Sequence, residues 1–330
     1  FELRCELIYK SSCWYSTKGS KDPWNLHQNQ RLFLKNLLDQ LWGPSNLSKP
    51  RSNGTDPSVK LSPSNRPIEL SKYILSNQIK ALFNNESNLF KDLNLRTGRL
   101  NIPQTNSSLL FGSSVDEFDN SSIWKTRGTG FWNCISFLLQ QSKDQVSDVE
   151  ELWPLVLPPT ISLLEDSKMI YRIRGTRLTI DILETFDPSI IFKTGIHDLF
   201  QKSFSSSFSL LNIDQTVDLL KITFEANLRL IESTTRRRKF NRERLKKINR
   251  LNRLIEESVF NVISFGKTNS KSLLGKQEHE IDENDHCYFE IDDYAIDCLG
   301  ELIKREYLGI FIARYLRVKF ISLFFLTRNS

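Results

Sequence analysis

The sequence is poor in the side chains that cross-linking and acid–base catalysis need. It holds only five cysteines (Cys5, Cys13, Cys134, Cys287 and Cys298) and four histidines in 330 residues. The cysteines are scattered, odd in number and never spaced C-x-x-C, which argues against a disulfide framework or a structural zinc site and suits a reducing compartment. Of the dispersed histidines, His197 neighbours Asp198 in "TGIHDLF", where a helix-surface role is expected. His279, His286 and Cys287 sit among carboxylates but lack metal-ligand spacing. "FGKTNS" places Asn261 where a phosphate loop needs its first glycine, and "GTGFWN" places Asn133 where a dinucleotide fingerprint needs its third. No nucleophile elbow is visible. The expectation is a chain with no catalytic residue, no metal and no cofactor.

Long uninterrupted apolar runs are also missing. The most apolar stretch, residues 307–326, carries Arg314, Arg317 and Lys319 near its middle, where a bilayer would penalise each by ~2.5–3.5 kcal/mol. A final core helix is expected there, its cations reaching outward on their methylene stems, and no membrane span. The opening "FELRCELIYK" has no basic start, long apolar run or small-residue cleavage site, so no secretory signal is expected. The sequons at Asn46, Asn53, Asn85, Asn106 and Asn120 then reflect an Asn/Ser-rich composition. Period-two alternation bounded by hairpin turns is absent as well, leaving β structure marginal at most.

What is present is enough apolar surface for a core. Apolar residues make up 39% and charged residues 25% of the chain, values of a folded protein. The length allows two or three compact domains or one elongated array. Residues 43–67 hold five of the eleven prolines and read as a linker or loop between an N-terminal helical segment, 1–42, and a helical region, 68–330. Polar loops are expected near 101–122 and 265–290. Apolar spacing of three to four predicts helices around residues 32–42, 68–83 and 124–139, then over 150–164, 169–186, 190–203, 214–232, 242–264 and 291–326.

The chain therefore reads all-α. Antiparallel helices can close into an irregular bundle or stack into an α-solenoid, and helix count does not separate the two. The 169–186 helix is apolar over more than half its circumference, which suits packing on two sides, as in a stack of HEAT-like repeats. Just before it, Pro158 and Pro159 either start a helix or kink a longer one, since each costs ~3 kcal/mol in a helix interior but little in a first turn. Asp166, Tyr171, Arg172 and Gly175 then follow the order D-x4-Y-R-x2-G. This order resembles the inner turn of a HEAT-type repeat, in which Asp caps, Arg bonds the next repeat and a small residue admits a packed neighbour. A plain helical hairpin accommodates the same residues.

The strings "LWPLVLPPTISLLEDSKMIYRIRGTRL" and "FKTGIHDLFQKSF", followed by a helix over 210–230, resemble the Tel-two-interacting protein two family, the smallest subunit of the TTT cochaperone complex. "ALF…LRTGRL" upstream and "WK" at Trp124 and Lys125 are similar to the same family in the same order. The resemblance covers about residues 68–235, with 152–200 its most specific block. One departure is Glu165–Asp166 in place of a double Asp. The resemblance implies structural roles for Trp153, Pro158, Pro159, Asp166, Arg172, Gly175 and Gly195. It also implies a non-catalytic scaffold whose partners are the other two TTT subunits, large helical-repeat proteins. Its clients would be phosphatidylinositol 3-kinase-related kinases, maturing with the Hsp ninety chaperone system in cytoplasm and nucleus.

The strongest local signal outside that block is charge. Residues 236–253 hold ten Lys/Arg against one Glu, a balance of +9 in a chain whose total is +6. Arg236, Arg237, Arg238, Lys239, Arg242, Lys246 and Lys247 are the candidate partner-binding residues. Such a segment suits a solvated face, an acidic protein partner, nucleic-acid phosphates, an anionic membrane surface, or pairing with residues 277–297, which hold nine Asp/Glu and no Lys/Arg. Nucleic acid is disfavoured because the segment has a single aromatic, Phe240, and no aromatic interleaving of the kind that stacks bases. A basic helical nucleic-acid-associated protein is nonetheless the alternative function.

Overall fold

The computed structural model describes residues 1–15, 27–42, 67–83, 93–94, 99–100, 123–127, 130–143, 149–210, 216–235, 241–264, 293–302 and 304. Apart from a pair of two-residue strands, the regular secondary structure of these residues is helical. In that pair β1 (Leu93–Asn94) runs antiparallel to β2 (Arg99–Leu100), with Leu93 opposite Leu100. The expected loops at 43–66, 101–122 and 265–290 and the apolar run 307–326 lie outside the described residues.

Among the described residues, twelve α-helices lie in chain order before residue 256. They are α1 (Glu2–Trp14), α2 (Gln28–Trp42), α3 (Pro67–Ile74), α4 (Lys80–Phe83), α5 (Ile123–Arg127), α6 (Phe131–Ser142), α7 (Trp153–Leu164), α8 (Met169–Thr185), α9 (Pro188–Lys193), α10 (Ile196–Ser207), α11 (Thr216–Thr235) and α12 (Asn241–Ile255). A π-helical turn, Leu75–Ile79, joins α3 to α4, and another, Glu256–Phe260, extends α12. Residues 293–302 are helical as well.

Two expected helices are broken, each at a glycine. The 124–139 pattern is split into α5 and α6 by Gly130, at φ +85°, and the 190–203 pattern into α9 and α10 by Gly195, at φ +76°. Both occupy the left-handed region that costs other residues ~1–2 kcal/mol, and the chain turns at each. Asp187 fixes the start of α9 by accepting from the Ser189 N–H at 2.8 Å, with Pro188 at the first helical position. Pro67, assigned to the linker by composition, instead opens α3.

The contacts divide the chain into two compact units. The first comprises residues 1–203 and 232–236, the second 204–231 and 237–330, so the division falls inside α10 and α11. In the first unit α1 packs on α2, α3 on α6, and α7 on α8. The first pair meets the second where α1 packs on α6 and α3, and the second meets the third where α6 packs on α8 and α4 on α7. Helix α8 thus has neighbours on two faces, as its apolar breadth predicted, and buries residues around nearly its whole circumference. At the α1–α6 contact the Asn133 side chain donates to the Cys13 carbonyl at 3.0 Å across 120 residues of sequence. A Cβ on Gly130 would overlap that same carbonyl oxygen.

The second unit has its own core. Leu220, Phe224, Leu228 and Ile231 recur along α11, and Leu251, Leu254 and Ile255 along α12. Tyr294, Cys298 and Leu302, one turn apart on the last described helix, complete the cluster with Phe208. Each such side chain contributes ~1.5–3 kcal/mol on full burial.

Candidate functional site

Helices α7 and α8 form the hairpin that carries most of the motif residues. Helix α7 runs unbroken through Pro158 and Pro159, so the proline pair lies inside a longer helix and does not start a new one. Their missing N–H groups leave the carbonyls of Pro154 and Leu155 without the usual helical donors. Both residues are partly exposed, so water can serve them. The next turn is held by the Thr160 hydroxyl, which donates to the Val156 carbonyl at 2.7 Å. Trp153, buried at the start of α7, meets Phe186 just beyond α8 edge-to-face, with ring centroids 5.1 Å apart.

Asp166 closes the turn between the two helices. Its Oδ1 accepts from the Lys168 N–H at 2.8 Å, and its backbone carbonyl accepts from Arg172 Nε at 2.6 Å. It is not the cap of α8, whose N-cap position is Lys168 without a side-chain bond. Through this bond Arg172 holds its own turn. Burial pulls the Arg172 guanidinium below its ordinary pKa, an effect that the neighbouring Asp166 and Glu165 oppose.

The second carboxylate oxygen of Asp166 pairs with Lys125 Nζ of α5 at 2.8 Å, both side chains being largely buried. Lys125 also stands 5.3 Å from the Trp124 ring centre and 5.7 Å from that of Tyr171, and Arg174 stands 5.9 Å from Trp132. Trp124 and Tyr171 meet edge-to-face at 5.0 Å. A buried ion pair beside aromatic rings therefore ties α5 to the α7–α8 turn, and Trp132 of α6 meets Tyr171 of α8 at 6.1 Å between ring centroids. Gly175 makes the hairpin possible. A Cβ there would lie 2.7 Å from the Leu164 backbone nitrogen and 2.9 Å from both the carbonyl carbon and the Cβ of Leu163.

The motif residues from Trp153 to Gly175 are thus brought together, while Gly195 serves the separate α9–α10 turn. His197 is a partly buried residue on α10, with its Nε2 2.9 Å from Asp198 and its ring 4.9 Å from Phe192. Sequence reasoning missed Gly130 and assigned no role to Lys125. The signal for the first was "GTG" between two aromatic clusters, and Lys125 stood in the family-like "WK" pair. Of the candidate basic residues, Arg236, Arg237, Arg238 and Lys239 lie outside the described residues, and Arg242, Lys246 and Lys247 fall on α12. Among the described residues no group of three or more His, Cys, Asp or Glu could hold a metal ion, and no helix is long and apolar enough to cross a membrane. His279, His286 and Cys287 lie outside them.

Four charged residues of the hairpin, Asp166, Arg172, Arg174 and Asp181, are buried, and Asp166 uses its charge to hold α5 against the turn. Comparisons with known proteins bear on the rest. No curated protein and no solved structure gives a significant match. A family model does, over residues 13–318, a span that includes the hairpin, the basic segment and both compact units. On that match across nearly the whole chain, this protein belongs to the Tti2 family.

Proposed function

We propose that the chain is a non-catalytic scaffold subunit of the TTT cochaperone complex. In this reading it presents helical surfaces to the two larger subunits and so supports folding and assembly of phosphatidylinositol 3-kinase-related kinases. Any ATP hydrolysis would be supplied by the Hsp ninety chaperone, and the compartments are cytoplasm and nucleus. The observation that carries the reading is the family match over residues 13–318. The helical pairs of the first unit, each meeting the next in chain order, support a HEAT-like stack as the form of the scaffold. The Asp166–Arg172–Gly175 hairpin is one repeat of that stack.

The test is purification of the tagged full chain from its own cells at near-physiological salt, with co-eluting chains identified by mass. Two larger helical-repeat proteins at near-equal stoichiometry are expected. Recovery instead with nucleic acid, through a submicromolar affinity that falls steeply as salt rises, would overturn the scaffold in favour of the basic nucleic-acid-binding alternative.

A further inference from the structure

We draw no further inference here: the strongest candidate, the outward apolar stripe of Leu3 and Leu7 on α1 with Leu32 and Phe33 exposed on α2, is an apolar helix face, and nothing in the structure shows what covers it.

Discussion

Replacing Gly175 by alanine adds one methyl group where two helices cross, and two opposed effects set the outcome. Alanine is the better helix former by ~1 kcal/mol, so on an isolated helix the change would stabilise. Here the new Cβ would lie 2.7 Å from the Leu164 nitrogen, against 3.4 Å for the closest ordinary contact, so α8 must retreat from α7 by about 0.7 Å. The obstacles at Leu163 and Leu164 are mostly backbone, which cannot rotate aside. A gap of ~0.5–1 Å forfeits a quarter to a half of the dispersion energy of each contact along the seam. Both helices bury apolar side chains, among them Ile161 and Leu164 on α7 and Ile173, Leu178 and Ile182 on α8. Overpacking of this kind costs ~1–3 kcal/mol, enough to outweigh the propensity gain. Set against that ~1 kcal/mol gain, the net loss reaches ~2 kcal/mol, a fall in melting temperature of up to roughly 8 °C for a unit of this size. The assay is thermal unfolding of the full chain followed by far-ultraviolet circular dichroism. Gly300→Ala serves as the control: nothing lies within 4 Å of its added Cβ, so the melting point should stay level or rise. Gly175→Leu should fall further than Gly175→Ala. A Gly175→Ala variant that melts at or above the parent would mean that α7 and α8 do not cross at this residue.

Four other outcomes are expected. Asp166→Asn, which leaves Lys125 buried without its carboxylate, should destabilise by ~3 kcal/mol, and Lys125→Met in the same chain should recover part of that; strictly additive effects in the double-mutant cycle would dissolve the pair. Gly130→Ala combines backbone strain with overlap on the Cys13 carbonyl and should loosen α1 from α6, seen as faster peptide-resolved alkylation of Cys5 and Cys13, whereas unchanged labelling would place the α1–α6 contact elsewhere. Burial pushes the Cys134 thiol from 9.0 to about 12, so the unfolded chain loses that proton first and stability drains between those pH values at ~1.4 kcal/mol per pH unit. Cys134→Ala should therefore flatten the alkaline fall in urea midpoint, and an identical slope in both chains would contradict burial of the thiol. Reversing Arg236, Arg237 and Arg238 to Glu should weaken partner capture while circular dichroism stays unchanged; retained capture would put the patch outside the interface.

The amino-acid sequence by itself determined that the chain is helical, and it marked where the best helices lie. Apolar residues at three-to-four spacing placed α7, α8 and α11 to within a few residues, because burial on one stripe requires that period wherever the stripe faces. It also carried the family signature, since the proline pair, Asp166, Arg172 and Gly175 occur within one short stretch. The same local pattern could not register that Gly130 and Gly195 turn the chain: glycine tolerates both helical and left-handed angles, and packing chooses between them. Nor could it tell whether Pro158 and Pro159 start a helix or lie inside one, which depends on whether the preceding turn is itself packed as helix. Only the tertiary structure decided that Lys125 answers Asp166, that Asn133 reaches Cys13, and that Arg172 bonds its own turn. Those pairings join residues far apart in sequence or oriented by a turn. Their energy depends on which groups the fold sets opposite one another, a quantity that no local periodicity encodes.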